Sequence, residues 1–136
     1  MVKLIPGKKG SGKTKLLVSA IHAAAGSSNG NVVAIQVGKS LNENITHSVR
    51  LINIEDYAIS NYETLYGFFA GILASDYDCT HVFTDGLLKI AGKDYDKAGE
   101  FFGKLSQISS DCAELVFTIS ADENDLPESV KKYFAK

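Results

Sequence analysis

The sequence predicts an α/β fold, a single three-layer αβα domain over residues 1–136 with a mostly parallel sheet. Three observations lead there. Strand-length apolar runs alternate with stretches of helical periodicity along the whole chain, which is the pattern of a sheet covered by helices. A length of 136 residues suits one hydrophobic core. A glycine-rich turn joins the first apolar run to the first helical stretch.

Taken in order, Val2, Leu4 and Ile5 form a short strand, which Pro6 is expected to end. Thr14 to Ala25, TKLLVSAIHAAA, has Leu17, Ile21 and Ala24 at helical spacing, and Gly26 can close that helix in the left-handed conformation. GSSNGN, 26–31, is a turn. VVAIQV, 32–37, is a continuous apolar run of strand length, as expected for a strand covered on both faces. Residues 38–47 are polar and read as loop. Val49 to Ile54 reads as another short strand, ending in Glu55 and Asp56. Ser60 and Glu63 have capping-box spacing and predict a helix to about Ser75, with Leu65, Phe68, Phe69, Ile72 and Leu73 on one face. HVFTDG, 81–86, is a strand with a terminal acid. Asp94 or its neighbour starts a helix to about Ser110, with Ala98, Phe101, Phe102, Leu105 and Ile108 facing one way. ELVFTIS, 114–120, is a strand. Pro127 helps start a short final helix carrying Val130, Tyr133 and Phe134.

Composition removes several classes of function. A net charge of −2 gives no global attraction to nucleic acid or anionic membrane. No apolar run approaches the roughly 20 residues of a membrane span. No signal-peptide core is visible, because Lys8, Lys9 and Lys13 interrupt the N-terminal stretch. A cytoplasmic location is therefore expected, with Cys79 and Cys112 reduced and buried rather than bridged. The three histidines are scattered and suggest no zinc site. Arg50 is the only arginine, and it falls in a predicted strand.

The turn GKKGSGKT, 7–14, carries the chemistry. Gly7, Gly12, Lys13 and Thr14 fill the four fixed places of G-x-x-x-x-G-K-[ST]. Glycines at 7, 10 and 12 allow the backbone to curl into a ring of inward-pointing N–H groups, which suits a phosphate at the start of a helix. Lys13 suits β- and γ-phosphate oxygens, and the Thr14 hydroxyl suits Mg²⁺, a hard cation that prefers oxygen. Strand, loop and helix stand in the order this motif requires.

On those residues the chain resembles the P-loop NTPase superfamily, as a small RecA-like (ASCE-type) ATP-binding protein. The likeness is specific in the loop and architectural elsewhere. It implies ATP and Mg²⁺ as ligands. The nucleotide would be held by Gly7, Lys8, Lys9, Gly10, Ser11, Gly12, Lys13, Thr14 and Lys15, with Lys13 also acting in catalysis. HVFTD is similar to the Walker B strand of that superfamily, which would make Asp85 and Thr14 the metal ligands; the other reading of Asp85 is a cap for the Asp-Gly turn. Ser120 or Thr118 matches the polar sensor of a neighbouring strand, or is a plain strand hydroxyl.

The chain departs from the family after Asp85. Hydrolysing RecA-like proteins carry a glutamate there, and this chain has Gly86. Glu55 and Asp56 are the candidate catalytic substitutes, because they end a strand on the same edge; the other reading is a solvated turn. Asp122 and Glu123 come second. The group that stabilises the transferring phosphoryl is Arg50, a lysine, a partner's residue, or none. The expected function is a Mg²⁺-dependent ATP-binding protein, a slow or partner-activated ATPase acting as a switch or motor subunit, with a homo-oligomer or protein partner completing the site. The alternatives are a nucleoside-type small-molecule kinase, a dimeric switch like the deviant-Walker ATPases, and a non-hydrolysing nucleotide-binding interaction module. No N/T-K-x-D stretch is present to specify guanine, so ATP is preferred to GTP.

Overall fold

A computed structural model describes residues 1–41, 45–109 and 113–134. The chain alternates strand and helix throughout: β1 (Val2–Gly7), α1 (Lys13–Ser27), β2 (Asn31–Gln36), β3 (Arg50–Asn53), α2 (Tyr62–Ser75), β4 (Cys79–Thr84), α3 (Leu87–Ala91), α4 (Tyr95–Ser109), β5 (Glu114–Ser120) and α5 (Glu128–Lys131). The five strands form one sheet in the order β1-β5-β4-β2-β3, and every pairing is parallel.

The strand order explains the layers. From β1 the chain crosses to β2 and β3 at the far edge, then steps back through β4 to β5. Right-handed crossovers running in opposite directions put their helices on opposite faces. Accordingly α1 covers one face, packing Leu17, Ile21 and Ala24 on Val32, Ala34, Phe83 and Val116. On the other face α2, α3, α4 and α5 share a larger core with Leu4, Val33, Ile35, Val82, Leu115, Phe117 and Ile119. Phe69, Phe101, Phe102 and Phe117 are the centre of that core, with ring centroids 5.3 to 6.1 Å apart, within the range of favourable offset and edge contacts.

Several expectations are corrected. Pro6 does not end β1, which runs on to Gly7 with Pro6 opposite Ile119. Leu4 sends its N–H outward to the Tyr133 carbonyl at 2.8 Å, and Pro6, two residues on, shares that outward direction. Its missing N–H therefore costs no bond to β5. The strand expected over Val49–Ile54 is Arg50–Asn53, followed by a 3₁₀ turn over Ile54–Tyr57 that contains Glu55 and Asp56. Helix α2 is capped by Asn61, whose side chain accepts the Thr64 N–H at 2.8 Å, and not by a box between Ser60 and Glu63. Asp94 does open α4, accepting the Lys97 N–H at 3.1 Å. Cys79 is buried and free, while Cys112 and the expected helix end at 110 lie outside the described residues. No described helix is long and apolar enough to cross a membrane.

Candidate functional site

In an open parallel sheet, ligands bind beyond the carboxyl ends of the strands, where neighbouring connections leave toward opposite faces. Here that place lies between β1 and β5. The connection from β1 leads into α1 on one face, and the connection from β5 leads into α5 on the other. The 7–14 loop stands at this edge.

The loop is built as its glycines require. Gly10 and Gly12 have φ of 84° and 92°, a region that side chains strongly disfavour. Gly7 is needed for space: a Cβ there would run into Ser11 Oγ and come within 3.2 Å of Lys13 Cγ. The Gly7 N–H is tied to the Ala121 carbonyl at 3.2 Å, and Lys8 Nζ pairs with Asp122 Oδ2 at 3.3 Å. The segment after β5 thus anchors the start of the loop, and Asp122, a second-choice catalytic acid, is engaged in that anchor. Lys8, Lys9, Gly10, Ser11, Gly12 and Lys15 are exposed.

Lys13 and Thr14 open α1. Lys13 is only 8% exposed and folds back over the loop, its Nζ donating to the Lys8 carbonyl at 3.1 Å. Burial holds the Lys13 ammonium below the ordinary lysine value; Asp85 partly offsets this, and the charge of Lys89 adds to it. The Thr14 hydroxyl lies 3.4 and 3.3 Å from the two Asp85 carboxylate oxygens.

Asp85 follows β4 and is 7% exposed. Its own N–H continues the ladder to the Ile35 carbonyl at 3.0 Å, which fixes its height above the sheet. Thr118 of β5 fixes its side chain, donating from Oγ1 to Asp85 Oδ1 at 2.7 Å and accepting the Gly86 N–H at 2.8 Å. Thr118 is 1% exposed, so this hydroxyl orients the acid from within the structure. Of the two sensor candidates Thr118 makes that contact; Ser120 stands two residues further along β5, opposite Gly7. The distinction follows from strand register and was beyond the reach of the sequence.

The structure thus brings Lys13, Thr14, Asp85 and Thr118 together. Glu55 and Asp56 stand on the same edge of the sheet but in the 3₁₀ turn that follows β3, two strands beyond β4, or about 10 Å at the usual strand spacing. Glu55 Oε1 accepts the Gly38 N–H at 2.6 Å, which ties it to the end of β2. Arg50 is exposed at the amino end of β3, on the opposite edge from the loop. Lys89 stands on the first turn of α3, a five-residue helix that the sequence pattern does not reveal.

The donor set suits a hard cation. Thr14 and Asp85 offer oxygen only, and among the described residues no cluster of three or more His, Cys, Asp or Glu forms an all-protein cage. One carboxylate and one hydroxyl, completed by phosphate oxygens and water, is the arrangement Mg²⁺ accepts. No family model and no curated protein compared with the chain matches it, so the functional reading rests on this geometry and on the loop sequence.

Proposed function

We propose that the chain binds ATP in a Mg²⁺-dependent manner and works as a slow or partner-activated ATPase, a switch or motor subunit. The convergence of the 7–14 loop with Lys13, Thr14 and the buried, Thr118-held Asp85 carries this reading. The loop N–H groups and the Lys13 ammonium bind phosphate oxygens. Thr14 and Asp85 hold Mg²⁺, which would neutralise charge that builds on the phosphates during transfer. Thr118 keeps the carboxylate turned toward that position. RecA-like P-loop proteins are the group this combination is similar to.

Gly86 in place of a glutamate favours a second reading, phosphoryl transfer to an acceptor other than water. Phosphate release measured with and without candidate nucleoside acceptors separates the two. The binding step is tested first. A ligand that binds only the folded state, present at a hundred times its Kd, stabilises by about 2.7 kcal/mol, so ATP with Mg²⁺ should raise the melting temperature of the wild type. Lys13→Ala should abolish that rise while leaving the unliganded melting temperature close to wild type. A substituted protein that still binds ATP with full affinity removes the phosphate-loop assignment.

A further inference from the structure

We propose that Lys89 is the second phosphate-binding cation of this site, directed at the γ-phosphate and standing in for an arginine; the proposal rests on the nucleotide reading above. Gly86 turns the chain at φ 82°, so α3 starts immediately behind Asp85. The Lys89 N–H closes the first turn on the Gly86 carbonyl at 3.0 Å. The side chain leans back toward the helix start, as helical side chains do. A Cβ on Gly86 would lie 3.7 Å from Lys89 Cδ and 3.9 Å from its Cβ, so the lysine stem runs over Gly86. That direction carries the ammonium toward Asp85 and Lys13.

The charge balance gives this placement its meaning. Lys89 is exposed, and no carboxylate lies within ion-pairing distance of it among the described residues. Its field reaches Lys13, where it works against a second positive charge. Two ammonium groups are thus gathered near one buried carboxylate, which leaves one positive charge in excess and draws an anion to the site. The complex of ATP with Mg²⁺ is such an anion. Lys13 enters from the loop side, and Lys89 enters from the side of Gly86, next to Asp85. Mg²⁺ held by Thr14 and Asp85 would neutralise phosphate charge there, and a second cation from the side of Asp85 would add to that at the terminal phosphate. Arg50, on the opposite edge, leaves that position to a lysine.

Calorimetric titration of the full chain with Mg²⁺ and either ADP or a non-hydrolysable ATP analogue tests the proposal on wild type, Lys89→Gln and Lys89→Arg. Removing one charge-assisted contact should weaken analogue binding about tenfold while ADP affinity stays within about twofold. Lys89→Arg should keep the wild-type preference for the analogue. Lys89 is exposed, so unchanged circular-dichroism melting is expected for both variants. Equal weakening toward both nucleotides, or no weakening in a wild-type background that binds both, overturns the role of Lys89 and leaves the nucleotide reading standing. A wild type that binds neither nucleotide removes both together.

Discussion

Thr118 and Thr84 are buried threonines on neighbouring strands, and the same substitution separates their roles. Thr118 Oγ1 serves both Asp85 and the Gly86 N–H, so Thr118→Val leaves the part-buried Gly86 N–H without its partner and loosens the acid. A cost of about 1–3 kcal/mol is expected, together with a higher Mg²⁺ requirement for ATP binding. Thr84 Oγ1 is buried and has no hydrogen-bond partner among the described residues. Thr84→Val should be neutral or stabilising, by up to about 1 kcal/mol, since no bond is lost and a desolvated hydroxyl is removed. Urea denaturation of the two variants compares them directly, and equal losses would contradict the assigned roles. Lys13 gives a pH signature. Burial lowers its proton affinity, whereas phosphate binding needs the charged form. ATP affinity should therefore fall as pH rises through the lowered value, before an ordinary lysine titrates. The same shift means that the unfolded chain holds more protons between the lowered and the ordinary value, so this residue's contribution to stability rises with pH across that window. Opposite trends in affinity and stability as the pH is raised toward the ordinary lysine value of 10.5 check it.

The elements divide by how locally they are determined. Helix α4 and strand β5 were legible almost to the residue, because each has one continuous apolar pattern bounded by a cap or a turn. The start of α2 was not. Ser60 and Glu63 have the spacing of a capping box, but Asn61 directly precedes the helix and its side chain bonds both the Thr64 N–H and the Thr64 hydroxyl. Asn61→Ala should cost about 1 kcal/mol, and Ser60→Ala almost nothing, in thermal melts. The extent of β1 depended on tertiary context. Whether Pro6 breaks a strand depends on which side of that strand its nitrogen faces, and that follows from β5 lying on one side and Tyr133 on the other. Helix α3 was invisible because five residues are too few to show a period. The candidate site was legible where it is contiguous, in residues 7–14. Asp85 is legible because it ends a strand, and Thr118 is one of two candidates that only strand register separates, whereas Lys89 is brought close by a turn at Gly86 that sequence spacing does not encode.

At the scale of the molecule, the two edges of the sheet have different chemistry, and that bears on catalytic power. The carboxyl edge gathers Lys13, Thr14, Asp85, Lys89 and, further along, Glu55 and Asp56. Arg50 lies on the amino edge. It pairs with Val33, three residues below Asn53 at the upper end of β3, so about 10 Å of strand separates it from the level of the site. Two strand spacings add about 10 Å sideways from β4. An arginine finger in the same chain is thereby ruled out for Arg50 without unfolding β3. Arg50→Ala should leave ATP affinity and turnover unchanged. Glu55 differs, since it stands on the correct edge, where its carboxylate accepts the Gly38 N–H. If it orients water in the transition state, Glu55→Gln lowers turnover while ATP affinity stays nearly constant, the pattern of a group that acts after binding. Glu55 is exposed and two strands away, so its contribution in the isolated chain is expected to be small. Turnover by the purified protein should fall well below the usual range of about 1–10³ per second. A rate near ten per second for the isolated chain would refute this, because the carboxyl edge would then hold a complete catalytic set. With a slow rate, acceleration on adding a second protein, or on raising the concentration of this one, would show that the missing group arrives from outside the chain.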